Sequence, residues 1–339
     1  MSEQTFEHIN HAIPAKAHTR MYLMHKWWAR KPHNVVAEYI RCYSNNGDIV
    51  LDTFCGSGVT AIEAIKLGRK AVAIDLDPIA TFITRMTAMP ADIDAIEKTF
   101  DKIKENVRKK IMSFYLTRCN KCKNLGLIIC SIWMTKKNYP IEIRYWCPHC
   151  KDKIHKKPDK DDIARIDKIN RMKITLWYPT NSFTYEDGKE FKEGTHLPDF
   201  QDIPSLFTHR NLLALSVLYD AINSITDKNI KELFKFRFTS IVHLASRMTP
   251  DRPTRPYSSF WGSAHRYWVP PKHMESNVWS LFRSAIKGKQ GLVVGKEDAN
   301  NQVAYYKEAK DFKELRGEGN ILISTQSALD LSNIPDNSI

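Results

Sequence analysis

The stretch LDTFCGSGVTAIEAIKLGRKAVAIDLDP, residues 51–78, constrains this chain more than any other. It reads as strand, glycine turn, helix, strand, acid. The dense apolar run GDIVLDTF (residues 47–54) has the pattern of a parallel strand buried on both faces. Gly56 and Gly58 make the turn, VTAIEAIKL forms the helix, and Gly68 stops it as a C-terminal cap. KAVAID is the second strand. Asp77 and Pro78 then read as the N-cap and first residue of another helix, PIATFITRMTAM. Strand, helix, strand, helix in that order predicts an α/β sheet domain.

The glycine turn needs a ligand assignment. Gly56-Ser57-Gly58, with Ala61 three residues on, fits a dinucleotide fingerprint. Asp75, at the end of the second strand, can accept hydrogen bonds from ribose hydroxyls, and both NAD and S-adenosylmethionine contain ribose. Asp52 separates the two. A dinucleotide places its pyrophosphate beside this turn, where a carboxylate repels it. S-adenosylmethionine has no phosphate and carries an α-ammonium group, so a carboxylate at the tip of the first strand favours it. Taken singly, Asp52 could be a turn-capping acid and Asp75 a strand-end acid with no ligand. Two acids framing one glycine turn favour the ligand. Cys55 reads as a small core filler, not a nucleophile.

Farther along, four of the seven cysteines fall into pairs: Cys119 and Cys122, then Cys147 and Cys150. C-x2-C, 24 residues, C-x2-C is the spacing of a tetrahedral zinc site, a little long for a zinc ribbon. Four thiolates leave no open coordination position, so this zinc is expected to hold a fold. Four unrelated thiols are the alternative, and His149 reads as surface. The pairs lie in a basic segment. The chain's net charge is +13, and residues 101–173 alone hold 20 Lys and Arg against 8 Asp and Glu. That surplus suggests a surface for a polyanion, with nucleic acid first; a solvated lysine-rich face is the alternative. Lys156 and Lys157 are taken as phosphate contacts within it.

Other stretches are less specific. A helix is expected from about Asn34, a long charged one opening at Pro90, and others over HRNLLALSVLYDAI, IKELFKFRFTSIVHLAS and ESNVWSLFRSAIK, before a last strand in NILISTQSALDL. There is no secretion signal and no apolar run of the roughly 18 residues that span a bilayer, so a soluble, cytoplasmic protein is expected.

DTFCGSGVTAIEAIKLGRKAVAIDLDP, preceded by HKWWARKPHNVV, resembles the S-adenosylmethionine-dependent amino-methyltransferases that modify adenine N6 or cytosine N4 in DNA. The resemblance matches Asp52, Phe54, Gly56 and Gly58 to the family's first cofactor motif and Asp75 to its ribose-binding acid. It implies that Lys31 and Pro32 help seat the methionine end. More narrowly, RNLLALSVLYDAI and YWVPPKHMESNVW look like adenine-specific DNA methylases carrying a zinc ribbon. The fold implied is α/β, a Rossmann-like methyltransferase sheet with a zinc-ribbon and helical insertion. Its parts are a cofactor-binding part (residues 20–113), the basic zinc-ribbon insertion (114–173), a helical and aromatic target-recognition region (174–300) and an incomplete return to the sheet (301–339).

Such an enzyme must extrude its target base, which calls for aromatic surfaces and cations. Arg252, Arg255, Tyr257, Phe260, Trp261, Arg266, Tyr267 and Trp268 supply both in one loop, although aromatics covering a core are the plainer reading. Core packing is the better reading for Trp27 and Trp28. The family activates its amine with a polar residue followed by Pro-Pro-aromatic. The one Pro-Pro here, Pro270-Pro271, is preceded by Val269 and followed by Lys272, and is rejected. No catalytic residue is therefore assigned. The closing SALDLSNIPDNSI resembles the stretch just upstream of that motif, so the chain is expected to stop short of it, as a fragment or as half of a split enzyme. The expected partners are S-adenosylmethionine, structural zinc, double-stranded DNA, and a downstream segment or second chain carrying the motif. The competing readings are a non-catalytic zinc-dependent DNA-binding subunit and an RNA methyltransferase.

Overall fold

The computed structural model describes residues 8–183, 202–251 and 269–339. The described chain runs through α1 (Arg20–Leu23), α2 (His33–Tyr43), β1 (Ile49–Asp52), α3 (Val59–Lys66), β2 (Lys70–Asp75), α4 (Pro78–Ala88) and α5 (Ile93–Ser113). Next come β3 (Leu116–Arg118), β4 (Leu125–Met134), β5 (Pro140–Cys147), β6 (Asp152–Lys156), α6 (Lys160–Asn170), α7 (His209–Asn223) and α8 (Lys228–Val242). It closes with β7 (Lys272–Ser276), α9 (Val278–Lys287), α10 (Leu292–Gln302), β8 (Glu308–Ala309), α11 (Phe312–Arg316) and β9 (Ile321–Thr325). Two compact units result. One joins the chain up to Glu97 with Lys287–Ile339, and the other is Lys98–Ile286.

The first unit is built on a parallel sheet in the order β1-β2-β9-β8. Val72, Ile74 and Leu322 pack with Ala309, Phe312 and Leu315 into a core cluster, against which Ile49 and Leu51 also lie. Each such aliphatic side chain, fully buried, contributes about 1.5–3 kcal/mol. Gly68, at φ +76°, takes the left-handed conformation that ends α3. Asp77 accepts from the Ile79 amide at 2.9 Å and starts α4 with Pro78 behind it. Pro90 does not open the next helix. Asp92 does, its carboxylate accepting from the Ala95 amide at 3.1 Å, and α5 begins at Ile93. An acceptor side chain satisfies an orphan amide, which a proline ring cannot do.

The second unit carries an antiparallel sheet, β3-β4-β5-β6, with β7 paired to β4 beyond the end of β3. β7 contradicts the expected helix over ESNVW: Glu275 and Ser276 are strand residues, and the helix begins at Val278. The reason is tertiary. The Glu275 carboxylate is fully buried between the Arg210 guanidinium of α7, the Thr208 hydroxyl and the Trp133 indole N–H (3.0 Å). Asn211 adds bonds to the Ala245 and Ser276 carbonyls at 2.8 and 3.1 Å. The RN of RNLLALSVLYDAI thus ties a helix to a sheet. Among the described residues, no helix is long and apolar enough to cross a membrane.

Candidate cofactor site and metal centre

Because β1 and β2 are parallel neighbours, Asp52 and Asp75 emerge at the same carboxyl edge, the edge at which open α/β sheets bind ligands. The turn between them is glycine for two reasons. Gly56 and Gly58 have φ of +52° and +76°, a region L side chains avoid. A Cβ on Gly56 would also lie 2.8 Å from Trp27 Nε1, and one on Gly58 would run into Thr84. Asp75 braces this turn: Oδ2 accepts from the Gly56 amide at 2.8 Å and Oδ1 from the Asp77 amide at 3.0 Å. A carboxylate offers about four acceptor sites, so capacity remains for ribose hydroxyls. Asp52 Oδ1 accepts from the Phe54 amide at 3.1 Å, which makes it a turn-capping acid as well. Its other oxygen takes no hydrogen bond among the described residues.

Phe54 is 78% exposed and Leu76, next to Asp75, is 74% exposed. Two large apolar side chains standing out of this edge offer surface to a flat ring. Leu76 escaped the sequence reading, although an apolar residue placed after a strand-ending acid was a usable signal. Cys55 is buried between Thr84 and the turn, and burial pushes its thiol up to about 12, so it stays protonated. It fills space.

The segment before α2 touches the turn through residues other than those expected. Lys31 is exposed and Pro32 occupies the N-cap position of α2. Trp27 instead closes over Gly56, and Arg30 Nε donates to Ser57 Oγ at 3.0 Å. Trp28 is exposed, under the Lys26 ammonium at 4.9 Å, and is not a core residue.

In the second unit the four paired cysteines come together, all ligand atoms lying within 4.8 Å of one another. Cys119 and Cys150 sulfurs are 3.9 Å apart, and Cys122 and Cys147 sulfurs 3.6 Å. A tetrahedron with Zn–S of about 2.3 Å has sulfur–sulfur edges of about 3.8 Å, so the set fits zinc. Each knuckle turns at the residue after its second cysteine: Lys123 and Lys151 have φ of +62° and +52°. Cys147 ends β5, so one ligand is fixed by the sheet itself. His149 is exposed and outside the cluster.

The structure corrects one expected phosphate contact. Lys156 is 8% exposed, its ammonium donating to Asp159 (2.6 Å), Asp162 (2.7 Å) and the Arg118 carbonyl (2.9 Å). Ile154 and Lys156 share the inner face of β6, while Lys153 and Lys157 are exposed. Arg252, Arg255, Tyr257, Trp261, Arg266 and Trp268 lie outside the described residues. The stems on either side of them are tied together. Pro250 bridges His273, and Asp251 pairs with Arg144 of β5 (3.0 Å) and Lys272 of β7 (2.8 Å). The Pro270 and Pro271 carbonyls accept from Thr135, at 2.7 Å from its hydroxyl and 2.9 Å from its amide.

Residues 5–83 match the family model described as DNA methylase. The chain is 49% identical over 47 residues to the type II methyltransferase M1.MboII of Moraxella bovis, which is 14% of this chain and 18% of that protein. It is 24% identical over 203 residues to the type II methyltransferase M.MjaII of Methanocaldococcus jannaschii, 59% of this chain and 35% of the relative. A ribosomal protein L11 methyltransferase of Thermotoga maritima is 35% identical over 68 residues, 20% of this chain and 26% of the relative. The chain thus spans between 18% and 35% of the length of these relatives. No solved structure gives a significant match. The resemblance to DNA amino-methyltransferases stands, carried by the glycine-turn region.

Proposed function

We propose that this chain is the cofactor- and DNA-binding part of an S-adenosylmethionine-dependent amino-methyltransferase acting on DNA, with adenine N6 favoured over cytosine N4 through the resemblance alone. The observation that carries the reading is the pair of acids, Asp52 and Asp75, framing one glycine turn at the carboxyl edge of parallel strands. Asp52 would take the ammonium of the cofactor, Asp75 its ribose hydroxyls, and Phe54 and Leu76 the faces of its adenine. Bound there, the cofactor supplies an electrophilic methyl group. The four cysteines would hold one structural zinc, and Arg252, Arg255, Tyr257, Trp261, Arg266 and Trp268 would supply contacts to duplex DNA. A cytoplasmic setting goes with that substrate.

Activation of the acceptor amine is assigned to a group that these 339 residues do not carry. An exocyclic amine is a poor nucleophile because its lone pair is delocalised into the ring. A polar acceptor followed by Pro-Pro-aromatic would correct that, and no stretch here provides one. The test is calorimetry with S-adenosylmethionine and NAD, followed by radiolabelled methyl transfer to mixed-sequence duplex DNA. Binding of S-adenosylmethionine but not NAD is expected, with transfer appearing only when a segment or second chain bearing the motif is supplied. Tight NAD binding reverses the reading of Asp52. Transfer by this chain alone, abolished in Asp52→Ala, places the amine acceptor within residues 1–339.

A further inference from the structure

Arg30 stands out among the cations of the first unit. Its guanidinium is folded inward, Nε donating to Ser57 Oγ at 3.0 Å, Nη2 to the His25 carbonyl at 2.9 Å and Nη1 to the Tyr22 carbonyl. All three acceptors are neutral. Among the described residues no carboxylate lies within ion-pair distance of Arg30. Tyr22 supplies no anion, because burial, and then the Glu63 charge, raise its phenol well above the ordinary value. Glu63 is engaged elsewhere, by the Tyr22 hydroxyl at 2.6 Å and the Lys66 ammonium at 2.7 Å.

A largely buried guanidinium bonded only to neutral groups bears a desolvation cost that an anion would offset. Burial accordingly pulls its pKa down to about 10. Of the five N–H groups on a guanidinium, three are employed here, leaving donors on the Nη1–Nη2 side for a further acceptor. The glycine turn is therefore flanked by an acid at the tip of β1 and by an uncompensated cation that grips Ser57, five residues farther on.

We propose that Arg30 binds the α-carboxylate of S-adenosylmethionine, so that its amino-acid end is held by two charges of opposite sign, Asp52 on the ammonium and Arg30 on the carboxylate. The assignment deepens the methyltransferase reading and rests on it. A pyrophosphate would also satisfy Arg30, but it would bring its charge against Asp52. A zwitterion answers both residues. The same geometry sets Arg30 apart from the exposed Lys31, one residue on: the loop turns Arg30 inward and holds it there with two carbonyls.

The experiment compares S-adenosylmethionine with decarboxylated S-adenosylmethionine, which keeps the adenosine, sulfonium and amine but lacks the carboxylate. Calorimetry on the wild-type chain should show the intact cofactor binding roughly 10- to 100-fold tighter, the range expected for charge-assisted bonds. In Arg30→Met and Arg30→Lys the affinity for the intact cofactor should fall, by more in the Met variant. Affinity for the decarboxylated ligand should stay within about twofold, so that discrimination collapses. Equal losses for both ligands would reduce Arg30 to a brace of the turn and overturn the assignment while leaving the methyltransferase reading intact. Wild-type protein that does not discriminate overturns it as well, whether or not the variants fold. Failure of the wild type to bind either ligand would remove the methyltransferase reading and the assignment together.

Discussion

Asp75 carries a structural load as well as its proposed ligand role, and the two separate by experiment. Its oxygens hold the amides of Gly56 and Asp77, one on each side of the site. Asp75→Ala removes both acceptors and leaves the glycine turn unbraced. Each lost charge-assisted bond costs about 1.5–3 kcal/mol when buried and less at this half-exposed position. We expect the melting temperature of the ligand-free protein to fall by roughly 2–6 °C, on the scale of a few degrees per kcal/mol. Cofactor affinity should fall in addition. An unchanged melting temperature with weakened binding would mean that the two amide bonds contribute nothing. At this scale the sequence was readable wherever a residue type had one plausible place: a glycine with positive φ, an acid ending a strand, cysteines at fixed spacing. Neighbouring cations were not. Arg30 and Lys31 differ only in which way the loop turns them. Lys156 was a decidable case missed, since a period of two from Ile154 puts it on the inner face of β6, where Asp159 and Asp162 wait for it.

Among the elements, the cysteine knuckles determine how the second unit is assembled. β5 ends in the ligand Cys147, and three residues earlier on the same strand Arg144 grips Asp251, which Lys272 also holds. A metal held by the four cysteines would thus secure a strand that in turn secures the stem at Asp251. Zinc binding of this kind is worth about 10–16 kcal/mol in isolated zinc-finger peptides, enough to decide whether a small sheet folds. Purified protein should carry about one equivalent of zinc, and Cys147→Ser should release it. Amide exchange should then rise across β3–β6, while cofactor binding, proposed for residues of the other unit, should persist. Metal analysis finding no zinc in protein prepared without chelator would remove the assignment. The knuckles were legible because their spacing is local. β7 was not, because KHMES is short and its partner β4 lies about 140 residues earlier. Its strand character comes from Glu275 meeting Arg210, and no local period reports such a pairing.

For the whole molecule, the division into two units sorts the charge. Lys98–Ile286 holds 34 Lys and Arg against 19 Asp and Glu, a net +15, whereas the cofactor-edge unit holds 17 against 19, a net −2. The chain's basicity therefore belongs entirely to the unit that carries the cysteine cluster, and the sequence count over residues 101–173 caught most of it. A small amphipathic ligand needs no such surplus, whereas a polyanion does. Neutralising phosphates releases condensed counterions, so binding to duplex DNA should weaken steeply between 50 and 200 mM salt, with a log–log slope near −0.9 per phosphate contacted. Lys153→Glu and Lys157→Glu, on the exposed face and just beyond the end of β6, should each flatten that slope by about one while leaving the fold intact. Lys156→Glu should behave differently. It sets a third carboxylate against Asp159 and Asp162 in a buried site and should cost about 3–5 kcal/mol of stability, with DNA binding lost through unfolding. Titration of fluorescent mixed-sequence duplex at several salt concentrations, with thermal melts of each variant, separates the two effects. A binding constant independent of salt, or an unchanged slope in the folded Lys153 and Lys157 variants, would make the surplus a solvated face and take DNA away from this surface.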